Sequence, residues 1–140
     1  MYHKVILAGH LGRDPEMRYT AEGNPVTNFN VATSRRWTGR DGEQREETIW
    51  WRISVWGKQA ETANEYLFKG RPVLVEGSMV IDPQTNGPRV WTGQDGQPRA
   101  SFEVRAQTVR FLGRGGEAAP GGADGSAAGE GPISEEEVPF

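Results

Sequence analysis

Only residues 59–69 of this chain space their apolar side chains as a helix does, and strand-like segments flank them on both sides. In QAETANEYLFK, Ala60, Ala63, Tyr66 and Leu67 fall on one side of about three helical turns. Gly70 supplies a helix-ending residue, and Pro72 blocks continuation beyond it. A helix this short plugs one end of a small curved sheet but does not form a layer of its own.

Five segments read as strands around it. The first covers residues 2–10, where Gly9 and Gly12 allow a bend; Arg13-Asp14-Pro15 then turns the chain before Arg18-Tyr19-Thr20 resumes the strand. The others cover residues 26–37, 48–58, 73–81 and 100–112. Residues 38–47, TGRDGEQREE, read as a long charged hairpin loop, and 82–87, DPQTNG, as a turn-rich insertion with an Asn-Gly reversal. Arg89-Val90-Trp91 reads as a short strand ahead of a second reversal at 93–97. In the last strand Phe102, Val104 and Ala106 oppose Glu103, Arg105 and Gln107, yet Val109 and Phe111 fall on the polar parity, which implies a bulge or an interface. One helix between the third and fourth of five strands does not fit a βαβ protein. It fits an all-β, bent antiparallel sheet closed into a five-stranded barrel of the oligonucleotide-binding (OB) type, which removes most of the exposed edge. A sandwich needs about seven strands.

The third strand carries the chemistry. In TIWWRISVWGK, residues 48–58, alternation places Ile49, Trp51, Ile53 and Val55 on a core-like face and Trp50, Arg52, Ser54, Trp56 and Lys58 on the other. Two indoles interleaved with cations and hydroxyls do not make an ordinary solvated face, because each exposed indole leaves apolar area in water. They fit a flat, negatively charged ligand such as single-stranded nucleic acid, whose every base has a π-face and whose every link has a phosphate. The competing reading packs one or both indoles under a loop or into a subunit interface. Arg35-Arg36-Trp37 repeats the aromatic-beside-cation pattern at the end of the second strand.

With 140 residues the chain has the size of a single domain. It has no cysteine, so neither disulfides nor thiolate chemistry is available. Of the two histidines, His3 and His10, neither has a matched nucleophile and acid, and Glu43, Glu46 and Glu47 read as a solvated loop rather than a metal site. Gly9 and Gly12 lack the GK[ST] context of a phosphate loop. No enzyme, cofactor or metal site is expected. No segment reaches the roughly 20 apolar residues that span a bilayer, and the N-terminus lacks a presequence pattern, so a cytoplasmic protein is expected.

The net charge of −3 hides an uneven split: residues 1–114 carry all 16 Lys/Arg and 13 of the 19 Asp/Glu, a net +3, and residues 115–140 carry the remaining six acids and no base, a net −6. Residues 113–132 form a Gly/Ala-rich linker that has too few apolar side chains to offset its ordering entropy. Apolar residues return in the last eight, 133–140, where Glu135, Glu136 and Glu137 precede Val138, Pro139 and Phe140. That pattern reads as a short docking peptide: a phenyl ring for an apolar pocket, with carboxylates for a partner's basic groups.

The ordered set of motifs KVILAGHLGRDPEMRY (4–19), PVTNFNVAT (25–33), Trp50-Trp51-Arg52, Trp56-Gly57-Lys58, EYLFKG (65–70) and Val75-Glu76-Gly77, with the acidic Pro-Phe tip, resembles the bacterial single-stranded DNA-binding protein family over residues 2–112 and again at the terminus. The resemblance implies an OB-fold homotetramer that wraps single-stranded DNA without reading its sequence. It further implies a location on the nucleoid and a tip that recruits replication, recombination and repair proteins. The family's stacking aromatics match Trp37, Trp50, Trp56 and Trp91, and Arg35, Arg36, Arg52, Lys58 and Arg89 are the phosphate-contacting candidates. Trp51, on the core-like parity, is not expected to touch DNA. Two non-enzymatic alternatives remain: an OB-fold interaction module with its aromatics in an interface, and an RNA-binding cold-shock-like or primosomal relative.

Overall fold

A computed structural model describes residues 1–113. The strands are β1 (Val5–Leu11), β2 (Glu16–Tyr19), β3 (Pro25–Thr38), β4 (Gln44–Trp56), β5 (Pro72–Met79), β6 (Val90–Thr92), β7 (Pro98–Ala100) and β8 (Phe102–Phe111), with α1 (Lys58–Tyr66) between β4 and β5. Hydrogen bonding runs β1-β5-β8-β4-β3-β2, and a further β1–β3 pairing closes the ring. The result is the expected five-stranded OB barrel of β1, β3, β4, β5 and β8, with the helix between its third and fourth strands and β2 attached outside β3. β6 and β7 form a separate two-stranded ribbon.

Not every pair in the barrel is antiparallel, as the sequence had implied. β4 and β8 run parallel from Trp51↔Phe102 to Ser54↔Arg105. The reason is topological: directions cannot alternate all the way round a ring with an odd number of strands. At the closure Gly9 lies so near β3 that a Cβ there would strike the Ala32 carbonyl, which is why this position lacks a side chain.

The core is the inward parity of each strand. Phe29, Val31, Ile53, Val55, Val73, Val75 and Val104 are fully buried, and Ala60, Ala63 and Leu67 cap one end from the helix side. Each such aliphatic burial is worth about 1.5–3 kcal/mol. The Thr27 hydroxyl, also buried, donates to the Ala60 carbonyl at 2.6 Å and ties the helix to β3.

Two local expectations change and a third holds. α1 ends at Tyr66 rather than Lys69, because Leu67 turns to extended backbone (φ −88°, ψ 146°) to enter the core; Gly70, at φ 85°, serves the next turn. Tyr66 is consequently exposed, its ring 5.8 Å from that of Phe111. Residues 44–47 are strand, not loop: β3 and β4 stay paired out to Thr38↔Gln44, leaving a five-residue turn. The bulge expected in the last strand is present. Gly77 pairs with Ala106 and Glu76 with Thr108, so Gln107 is the extra residue, and the shift returns Val109 and Phe111 to the core side. The linker 113–132, save Gly113, and the tip at Glu135, Glu136, Glu137, Val138, Pro139 and Phe140 lie outside the described residues.

Candidate nucleic-acid interface

The outer face of β4 presents Trp50, Arg52, Ser54 and Trp56 in series, the alternation its sequence dictates. β3 sets Ala32, Asn30, Asn28 and Val26 beside them, and β8 sets Glu103 beside Arg52 and Arg105 beside Ser54. All of these except Trp50 and Ala32 line, together with Arg13, Arg18 and Arg89, an open groove of about 570 Å³. Its floor is polar, with Asn28, Asn30 and Ser54, and its walls hold five arginines and one indole.

The indoles are open. Trp37, Trp50, Trp56 and Trp91 are 37, 55, 39 and 40% exposed, too much for rings packed inside a subunit. The Arg105 guanidinium lies 5.0 Å from the Trp56 ring centroid, and that of Arg35 lies 4.8 Å from Trp37. Trp50 rests on the chain just after β1: a Cβ on Gly12 would collide with the indole, so a glycine there makes room for the ring. Trp51, by contrast, is half-buried; its Nε1–H donates to Thr33 Oγ1 at 2.8 Å and its ring packs 5.3 Å from Phe102. That is the behaviour of a barrel-rim residue.

The groove brings together only part of the expected set. Trp56, Arg52 and Arg89 line it; Trp50 continues the same face beyond Arg52; Trp37 and Trp91 stand on the β3–β4 and β6–β7 hairpins. Lys58 is not on the β4 face, because the strand ends at Trp56 and Lys58 opens α1. Arg35 and Arg36 do not share a face either: Arg35 pairs with Glu47 and sits with Trp37, and Arg36 pairs with Glu46 on the Trp50 side.

Carboxylates already engage most of the expected phosphate contacts. Arg35 meets Glu47 at 2.9 Å and Arg36 meets Glu46 at 3.3 Å. Arg52 and Arg89 share Glu103, at 3.6 and 3.7 Å. The exposed pairs Arg35–Glu47 and Arg36–Glu46 contribute about 0–1 kcal/mol each, so a phosphate can displace them at little cost. Among the described residues Arg13, Arg18 and Arg105 line the groove with no ion pair. The sequence reading missed all three. Arg105 had the right parity, but that β8 lies beside β4 is a long-range fact that no local pattern reports.

Among the described residues no group of three or more His, Cys, Asp or Glu side chains is placed to hold a metal, and no helix is long and apolar enough to cross a membrane. An open groove with stacking surfaces and cations suits binding.

Comparison with known proteins gives the same reading. The single-stranded DNA-binding protein of Wolinella succinogenes is 39% identical over 125 residues, which cover 89% of this chain and 72% of that protein. The structure of a Plasmodium falciparum SSB complex with ssDNA superposes with a TM-score of 0.65 at 28% identity, covering 81% of this chain and 97% of that one. Residues 2–112 match the single-strand binding protein family, a family of binding proteins rather than enzymes, and the chain therefore belongs to it.

Proposed function

We propose that this protein binds single-stranded DNA without sequence preference, stacking bases on Trp50, Trp56, Trp37 and Trp91 and neutralising phosphates with arginine. The observation that carries the reading is the alternation on β4, where exposed indoles flank a guanidinium along an open groove outside the core. Base–aromatic stacking is worth about 1–3 kcal/mol per base and accepts any base. Arg13, Arg18 and Arg105 are the cations best placed to meet phosphates first, with Arg52 and Arg89 joining as they leave Glu103. Arg35 and Arg36 act at the β3–β4 hairpin, and Lys58 contributes only at long range.

The described body has a modest positive charge, so four copies arranged as a homotetramer around one strand supply the field that one lacks. The acidic tip, residues 135–140, serves as the docking peptide for replication, recombination and repair proteins and competes electrostatically for the basic groove when DNA is absent. Deleting residues 133–140 is expected to raise apparent affinity at low salt, and unchanged affinity would count against that competition.

The deciding experiment is a titration of intrinsic tryptophan fluorescence with poly(dT) at several salt concentrations. Strong quenching, similar with mixed-sequence DNA and weakening as salt rises, is the expected result. Emission unaltered by poly(dT) would remove the proposed role even though the barrel stands.

A further inference from the structure

Two stretches that belong to different sheets share an uncommon pattern. Residues 35–45 read RRWTGRDGEQR and residues 89–99 read RVWTGQDGQPR, so that R-x-W-T-G-x-D-G-x-x-R occurs twice. The first stretch is the tip of the long β3–β4 hairpin of the barrel, and the second is the free β6–β7 ribbon. No shared role in the barrel requires the likeness.

The geometry repeats as closely as the sequence. Gly39 N–H donates to the Glu43 carbonyl at 2.8 Å and Gly93 N–H to that of Gln97 at 2.8 Å; Gly42 and Gly96 both stand at φ 78°. Asp41 accepts from the Glu43 N–H at 3.2 Å and pairs with Arg45 at 2.9 Å, and Asp95 accepts from the Gln97 N–H at 3.2 Å and pairs with Arg99 at 2.9 Å. Each Asp–Arg clip lies across a glycine. A Cβ on Gly39 would come 2.6 Å from Asp41 Oδ1, and one on Gly93 2.7 Å from Asp95 Oδ1. The register then sets Arg45 directly opposite Trp37 and Arg99 directly opposite Trp91, on the same face of each ribbon. Two residues before each tryptophan stands the second arginine, Arg35 or Arg89, held by Glu47 or Glu103.

We propose that the two hairpin tips are duplicate grips on a single strand, each taking one base on its tryptophan and one adjoining phosphate on the cross-strand arginine. Arg45 and Arg99 are thereby phosphate contacts, and Asp41 and Asp95 are positioning residues that hold the guanidinium beside the ring. The Glu43 or Gln97 N–H, then the arginine, holds each aspartate's carboxyl below its usual range, so both clips stay charged at neutral pH. Exposed at the ends of narrow ribbons, a tryptophan and an arginine without such a clip would have many orientations to lose on binding. The inference rests on the single-strand reading and extends it to sites outside the groove.

The test uses the full chain, oligo(dT) and a salt series. Arg45→Gln and Arg99→Gln are each expected to weaken binding roughly three- to tenfold and to lower the slope of log affinity against log salt by about 0.7, with Arg→Lys at either site restoring the slope. Asp41→Asn and Asp95→Asn are expected to weaken binding by similar factors as each other while leaving the slope in place, which a charge contact would not do. Unchanged slopes in both arginine variants, or an effect confined to one hairpin, would overturn the duplicate grip. Trp50→Ala separates the levels. If it weakens binding while the arginine variants bind as the unaltered chain does, only the grip fails; if the unaltered chain ignores oligo(dT), both proposals fail.

Discussion

Along β4, Ile53 and Val55 keep about 1% of their surface in water, while Trp50 and Trp56 on the alternate positions keep 55% and 39%. A single run of backbone therefore supplies both the wall of the core and the floor of the groove. The inner face is mostly apolar: branched aliphatics lie against Phe29, Val31 and Val104, and the buried Thr27 hydroxyl opposite Val55 is satisfied by the Ala60 carbonyl. The outer face is mixed and charged, and its side chains rest on neighbours that leave room for them, as Gly12 does for Trp50. The inner residues gain their free energy when the chain folds, and on the proposed reading the outer ones gain theirs when a strand binds.

The division is broken if a core truncation harms binding as much as folding. Ile53→Ala is expected to cost about 2–5 kcal/mol of stability, read from urea unfolding, because the closed barrel cannot collapse around the lost methyls. The fraction that remains folded is expected to bind poly(dT) within about twofold of normal, since the Ile53 side chain is buried, with about 1% of its surface in water. Trp50→Ala reverses the pattern. Its expected loss is about 1–3 kcal/mol in binding free energy, with stability changed by less than about 0.5 kcal/mol. Loss of stability on the larger scale would mean that the indole packs as part of the barrel.

Which residues belong to which face was legible from the sequence wherever a period of two ran unbroken, as it does from Ile49 to Trp56. What escaped depended on partners distant along the chain. Gln44 to Glu47 have poor strand propensity and read as loop; Arg35 opposite Glu47 and Arg36 opposite Glu46 hold them in the ladder instead. The helix boundary moved because the buried side of Leu67 outweighed the stop signal at Gly70. The segments at 38–47 and 93–97 read as two unrelated turns, since their likeness shows only when the ribbons are compared. Parallel pairing of β8 with β4 was the costliest omission, because it is what brings Glu103 and Arg105 to the groove.

Glu103 is where the comparison sharpens most finely. It sits on the outer face, where a ligand with phosphates would meet it, yet its side chain is only 13% exposed. Its carboxylate receives the Ser101 hydroxyl at 3.0 Å and faces both Arg52 and Arg89. In the free protein that charge keeps two guanidiniums from repelling each other; beside bound DNA it repels phosphate and holds back the two cations that would meet it. Glu103→Gln retains an oxygen for the Ser101 hydroxyl and releases both arginines. The expected result is a gain of about two- to threefold in affinity for oligo(dT) at low salt, with the salt slope steeper by about 0.7 for each arginine that reaches a phosphate. A fall in affinity would instead show that the carboxylate holds Arg52 and Arg89 in the positions from which they bind. The outer face would then contain a structural residue of its own, and the clean separation between the two sides of β4 would end at its neighbour.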